Sequence, residues 1–245
     1  MKKWMCLFFC LLSMWVRGQD YSDRIYQAYV TGRMERWKAV MEEMDRAYMA
    51  DRDGALLYRL TEAEYGYIGY CIGEGRKAEA RQLLEKAGKH VDILLKAGRD
   101  LPKVYGLQGA FYGFRVGLEP LKAPFYGRKS VEANEKAIKL GPDEPQVWME
   151  KAHIEFYKPA IFGGSKKRAV PLYEKAVRLF ETMPGRTEKN WIYLNSLVAL
   201  AIAYEATGAI QSADRIYGKL LELEPSLVWI RDEVYPDFLE KHSLK

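Results

Sequence analysis

The side chains best able to do chemistry stand apart in this 245-residue chain. His90, His153 and His242 are widely separated, and neither H-E-x-x-H nor C-x-x-C occurs, so no zinc-binding or dithiol signature is present. Gly163-Gly164-Ser165-Lys166-Lys167 lacks the leading glycine and the Lys-Ser/Thr pair of a phosphate-binding loop, and no nucleophile elbow is found. The many acidic residues recur at helical spacing, which describes a solvated helix face better than paired catalytic carboxylates. The sequence therefore predicts a protein that is not an enzyme, with no cofactor and no metal.

Two basic segments remain. Gly127-Arg128-Lys129-Ser130 and Gly163 to Arg168 each place small residues and cations where a helix is expected to start. Cations oppose the dipole at a helix N-terminus, and an anion held by free N–H groups would compensate. Arg128, Lys129, Ser165, Lys166 and Lys167 are thus a candidate anion site, the other reading being basic turns screened by salt. Glycines form a second unusual set. Tyr65-Gly66-x-x-Gly69-x-x-x-Gly73 returns forty residues on as Tyr105-Gly106-x-x-Gly109-x-x-x-Gly113. Each helical glycine costs ~1 kcal/mol against alanine, which close packing, or space left for a ligand, must recover.

The elements that position these residues are legible from spacing. Leu197 to Pro225 reads L-x-x-L-A-x-x-Y-x-x-x-G-x-x-x-x-A-x-x-x-Y-x-x-L-x-x-x-x-P. Leu197, Leu200, Ala201 and Tyr204 fall on one stripe of a first helix, Gly208 turns the chain, and Ala213, Tyr217 and Leu220 make the facing stripe. The two alanines allow close approach, and Pro225 follows the second helix because it cannot continue one. Such a hairpin cannot bury its stripe alone, so like neighbours must stack on it. Earlier pairs fit Ser22 to Val30 with Met34 to Tyr48, where Trp37 stands in place of the small residue; the Tyr65 segment with Arg76 to Ala97, turning Ala80, Leu83, Leu84 and Ala87 inward; the Tyr105 segment with Arg128 to Leu140; and Gln146 to Tyr157 with Lys166 to Phe180. Leu118 to Gly127 and Lys158 to Ser165 are inserts inside two of these pairs. Leu227 to Lys241 is expected to close the end of the array with Trp229, Val234 and Phe238.

This spacing is that of a tetratricopeptide (TPR) repeat, and the chain resembles an exported member of that family, closely over residues 194 to 227 and more loosely over 60 to 182. Pro159 to Gly164, with its Phe162-Gly163-Gly164, is similar to an insertion in a divergent bacterial subgroup. The resemblance implies an all-α, right-handed solenoid of about five antiparallel helix pairs plus a C-terminal capping helix. It also implies a partner-binding groove on the first helices. Carried onto this sequence, the groove positions are Tyr70, Lys103, Phe114, Met149, His153 and Phe156 with Tyr157 beside them, then Asn195, Val198, Ile202 and Glu205. Gly66, Gly73, Gly106 and Gly113 would floor it. Aromatics with a few polar groups suit an extended peptide or an apolar helix.

The N-terminus carries an address. Met1-Lys2-Lys3 precedes an apolar run from Trp4 to Val16 that is shorter than the ~20 residues needed to span a bilayer. It reads as a signal peptide over 1–18, cleaved before Gln19, leaving one helical repeat domain over 19–245. Removing it takes away Lys2, Lys3 and Arg17, so 35 basic residues face 33 acidic ones and the net charge is +2, against +5 for the whole chain. That balance gives no electrostatic case for nucleic acid. Cys6 and Cys10 leave too, and Cys71 then has no intramolecular disulfide partner. The expectation is a periplasmic scaffold or adaptor that binds a protein partner. Exported TPR proteins often accompany outer-membrane transport or secretion machinery, so the resemblance also implies possible association with a membrane complex, without a transmembrane segment in the mature chain. The alternative is a carrier or sensor holding a small anionic or apolar ligand between the glycine-rich helices.

Overall fold

Ala201 and Ala213 have no solvent exposure in the computed structural model, as two closely apposed helices require. The structure describes residues 20–244. The expected leader over 1–18 and its cleavage before Gln19 lie outside them. Eleven α-helices follow in order: α1 (20–30), α2 (Met34–Asp51), α3 (Gly54–Gly73), α4 (Lys77–Lys96), α5 (Leu101–Leu118), α6 (Ala123–Leu140), α7 (Pro145–Tyr157), α8 (Lys166–Thr182), α9 (Trp191–Ala206), α10 (Ile210–Leu223) and α11 (Tyr235–Lys241). They form five antiparallel pairs, with α11 closing the C-terminal end, and no strand occurs among the described residues.

The three tight pairs turn in the same way. Gly32, Gly75 and Gly208 adopt left-handed backbone (φ +67°, +70° and +82°) just past α1, α3 and α9. At each, the next N–H reaches back to the third-last residue of the helix, as Ala209 N does to the Tyr204 carbonyl at 2.9 Å. Second helices supply small buried residues to the core: Ala80, Ala87, Ala137, Ala169 and Ala176 are fully buried, and Leu83 is only half-buried. First helices α3, α5, α7 and α9 lie side by side as one layer, with the second helices outside them.

The other two pairs turn through elbows, and here the structure corrects the expected boundaries. The first insert is mostly helix: a single 3-10 turn, Pro120–Lys122, leads directly into α6 at Ala123, five residues before Arg128. Pro124 is tolerated in that first turn because its missing N–H would have no helical partner, and Tyr126 stacks on Tyr112 at 6.2 Å. The second elbow follows the expected bounds. Pro159 leads a 3-10 turn, Ala160–Phe162, and Ser165 caps α8 by accepting the Arg168 N–H at 3.2 Å. Its glycines are both required. Gly163 has φ +84°, and a Cβ on Gly164 would overlap the Lys158 carbonyl oxygen.

Trp229 does not cap the array. It is 43% exposed and Val234 is half-buried; Phe238 is buried as expected, together with Leu227 and Ile230. Pro236 cannot donate to a carbonyl four residues back, and the chain accommodates it with a π-turn over Ile230–Val234, in which Tyr235 N–H bonds to the Ile230 carbonyl. That turn changes the rotation of the helix and with it the inward set.

The two ends of the array meet. Tyr26 of α1 donates its hydroxyl to Glu224, just past α10, at 2.5 Å, and Lys189 pairs with Asp23 at 3.6 Å. Trp37 of α2 packs edge-on to Trp191 of α9 at 4.9 Å and donates its indole N–H to the Ala63 carbonyl. Such contacts require a curved stack with the first helices on its inner side.

Candidate binding surfaces

No group of three or more His, Cys, Asp or Glu that could hold a metal ion occurs among the described residues. His90 is buried against Glu64, with Nδ1 2.9 Å from the carboxylate, and joins α3 to α4. Burial raises the Glu64 carboxyl above its ordinary range, against the opposing bond to His90. Cys71 is fully buried, and burial pushes its thiol up to about 11, so little thiolate is present near neutral pH. His242 lies 3.1 Å from Glu205 at the C-terminal closure.

The predicted groove residues divide into three sets. Met149 and Val198 are fully buried core: Ser196 Oγ lies 3.0 Å from Met149 Sδ, and neither side chain is reachable by a partner. Glu205 is taken by the chain itself, accepting from Lys241 at 2.7 Å as well as from His242, because the C-terminal helix folds over it. Phe114 stacks on Tyr65 at 5.6 Å, which spends one of its faces internally. The others stay accessible. Tyr70 is half-buried beside Arg76, Asn195 and Ile202 are half-buried on α9, and Lys103 lies over the Tyr58 ring 3.9 Å from Glu144. His153, Phe156 and Tyr157 form a shelf at the end of α7. His153 stands edge-on to Tyr173 at 5.4 Å, Phe156 edge-on to Tyr157 at 4.9 Å, and Tyr157 is 70% exposed.

The glycine stripe has mixed roles. A Cβ on Gly66 would lie 2.7 Å from both Trp37 and Trp191, so its space is filled by the rings. On Gly109 it would lie 3.1 Å from the Ser130 carbonyl of α6, whose hydroxyl already bonds the Gly109 carbonyl. These two are close-packing glycines, and no ligand fits against them. Gly73 and Gly117 face open space.

The basic elbows also differ from expectation in part. Arg128 and Lys129 lie in the second turn of α6, where backbone N–H groups are spent on the helix, so they frame no helix N-terminus. Arg128 is 3.5 Å from Glu132, and Lys129 Nζ sits over Phe125 at 4.6 Å. Ser165, Lys166 and Lys167 do start a helix, with Lys166 Nζ over Phe156 at 5.4 Å. Arg168 next to them pairs with Glu155 at 3.0 Å.

One site escaped the sequence reading. A cleft of about 420 Å³ opens between α1, α3 and the segment leading into α9, lined by Tyr58, Arg59, Glu62, Lys103, Arg186 and Trp191 among others. Glu62 accepts from Tyr58 Oη and Gln146 Nε2, each at 2.8 Å, and burial raises its carboxyl above the usual range. The buried Nε of Arg59 has no hydrogen-bond partner. The only sequence signal was a cation inside an apolar helix. The cleft itself arises from the meeting of distant segments.

No family model and no curated protein matches the chain. Among solved structures it is similar to the HusA haemophore from Porphyromonas gingivalis, at 20% identity over 75% of this chain and 92% of that one, with TM-score 0.60. It is equally similar to a thermophilic TPR protein of Thermus thermophilus, at 18% identity over 84% of this chain and 92% of that one, with TM-score 0.59. At such identities the likeness is one of fold, and the fold of this chain is an all-α, TPR-like helical repeat.

Proposed function

We propose that this chain is a non-catalytic binding protein of the bacterial envelope, a scaffold or adaptor that holds a protein partner on its first-helix layer. The observation that carries the reading is the His153, Phe156 and Tyr157 shelf: adjacent rings on one helix end, with Tyr157 70% exposed. Rings of this kind supply large contact area at low entropic cost and serve as anchors in interfaces. Export rests on the N-terminal segment over 1–18, and the envelope location, in the periplasm, follows from it. No helix among the described residues is long and apolar enough to cross a membrane. The relation of the Pro159 to Gly164 elbow to a divergent TPR subgroup belongs to the same proposal. The test is capture of envelope proteins by the mature chain and by Tyr157→Ala. A stoichiometric partner lost in the variant supports the reading, and unchanged capture refutes the shelf.

A second reading, a carrier of a small ligand, is favoured by the cleft and by the buried, unpartnered Arg59 Nε. It also agrees with the likeness to a protein described as a haemophore. The ligand would lie in the cleft and not between the glycine-rich helices, where side chains fill the space. A small molecule that co-purifies with wild type and is lost from Arg59→Ala would distinguish this reading from the first.

A further inference from the structure

The two elbows are alike in construction. Each leaves a first helix through one 3-10 turn, led by Pro120 in the first elbow and by Pro159 in the second. Each carries large apolar side chains into solvent: Leu121 is 100% exposed, Ile161 85% and Phe162 66%. Of the ten large hydrophobic side chains exposed among the described residues, four lie in these elbows, Phe125 completing the set, and Tyr157 at the end of α7 adjoins them. That concentration is not the scatter of single apolar residues expected of an ordinary surface.

The topology puts both elbows on one edge. Helices α5 and α7 run in the same direction and pack together, with Gly106 facing Val147 at 3.7 Å from where its Cβ would be. From that contact each helix continues for about three turns before it ends, α5 at Leu118 and α7 at Tyr157. Their elbows therefore emerge side by side at the same height.

Charge on this edge is one-sided. Residues 119–129 and 155–168 together carry seven Lys or Arg against two Glu, with Arg128 also paired to Glu132 just beyond the first segment. Both acids are neutralised locally, Glu119 by Arg115 and Lys122, and Glu155 by Lys158 and Arg168. Lys166 and Lys167 are exposed and form no ion pair among the described residues. The mature chain as a whole is nearly balanced, so this excess is local.

We propose that this edge docks on an anionic lipid surface, with Leu121, Ile161 and Phe162 inserted at the headgroup boundary and Lys166 and Lys167 paired with lipid phosphates. Projecting apolar tips ringed by cations suit an interface that is apolar below and negatively charged above. A concave protein-binding groove would present the opposite shape. The edge is distinct from the Tyr58 to Trp191 cleft, so it can act with a ligand held there; it adjoins the Phe156 and Tyr157 shelf, with Lys166 over Phe156, so a protein partner seated on that shelf would share it.

The test is sedimentation of the mature protein with vesicles of phosphatidylcholine alone, and with vesicles containing an equal part of phosphatidylglycerol, at low and high salt. Binding is expected only to the anionic vesicles and should weaken with salt. Lys166→Glu and Lys167→Glu should each weaken it by at least about fivefold, in line with the attraction of one cation near such a surface. Leu121→Ser with Ile161→Ser should weaken it while leaving the circular dichroism spectrum unchanged, since both side chains are exposed. Absence of binding to anionic vesicles overturns the proposal. Equal binding to neutral vesicles overturns its electrostatic half, and so does binding that survives the charge reversals. If the same substitutions abolish capture of a soluble envelope protein while vesicle binding is nil, the edge is a protein interface and the lipid assignment is wrong.

Discussion

Trp37 and Trp191, from the first and last pairs of the array, meet edge to face at 4.9 Å directly over Gly66. Glycine is needed there because any side chain would enter both rings. Gly66→Ala is expected to lower the melting temperature, with an overpacking cost of ~1–3 kcal/mol. Gly88, inside α4 with nothing near its missing Cβ, provides the opposite case. Gly88→Ala should raise stability by up to ~1 kcal/mol through helix propensity alone. Thermal unfolding of the two variants side by side checks both signs.

Ala201→Leu should destabilise the fifth pair by ~1–3 kcal/mol, because the residue is fully buried in α9, which packs against α10, and the longer side chain must displace its neighbours. An unchanged denaturation midpoint would mean that the α9 register is other than described.

Phe114 and Tyr157 should respond in opposite ways. Phe114→Ala removes a ring stacked on buried Tyr65 and should cost stability, at the lower end of the ~3–5 kcal/mol seen for fully buried Phe because Phe114 is only half-buried. Tyr157→Ala should leave stability within about 0.5 kcal/mol of wild type, as exposed positions do, and act on partner capture instead. Melting curves and capture measured on the same preparations separate the two roles.

Two carboxylates predict how stability follows pH. Glu205 is partly buried, which alone would raise it, but the bonds from Lys241 and His242 prevail and hold it below the ordinary range. Its contribution is therefore present above the unfolded pKa and is lost as pH falls through the depressed value, loosening α11 in acid. Glu64 has the opposite sign: its raised carboxyl favours the fold at low pH, and that contribution is lost as pH rises through the folded pKa. Glu64→Gln, which keeps the side chain's shape and cannot ionise, should remove the part of the fall in melting temperature that sets in as pH rises above the unfolded carboxylate range, and leave the acid-side loss from Glu205 in place.

Gly164→Ala cannot be accommodated beside the Lys158 carbonyl, so the second elbow must open and lose the Ser165 N–H bond to the Glu155 carbonyl at 2.8 Å. Hydrogen exchange should show lost protection confined to residues 158–166, with the helical core retained.

The five pairs, the Gly208 turn and the buried alanines were legible from spacing, because a 3.6-residue period, a small contact residue and a helix stop all act within one hairpin. The resemblance named His153, Phe156 and Tyr157 as groove positions; all three lie on α7, His153 and Phe156 half-buried and Tyr157 exposed. The sequence could not show that Met149 is core, that Glu205 is claimed by Lys241 and His242, or that Pro236 forces a π-turn and turns Trp229 outward. Those outcomes depend on which faces neighbouring elements cover. The widest gap concerns curvature. Only the summed rotation of five stacked pairs brings Tyr26 to Glu224 and Trp191 onto Trp37 and Gly66, and forms the cleft around Arg59. No local spacing encodes that rotation, since each pair contributes a small angle through its packing against the next.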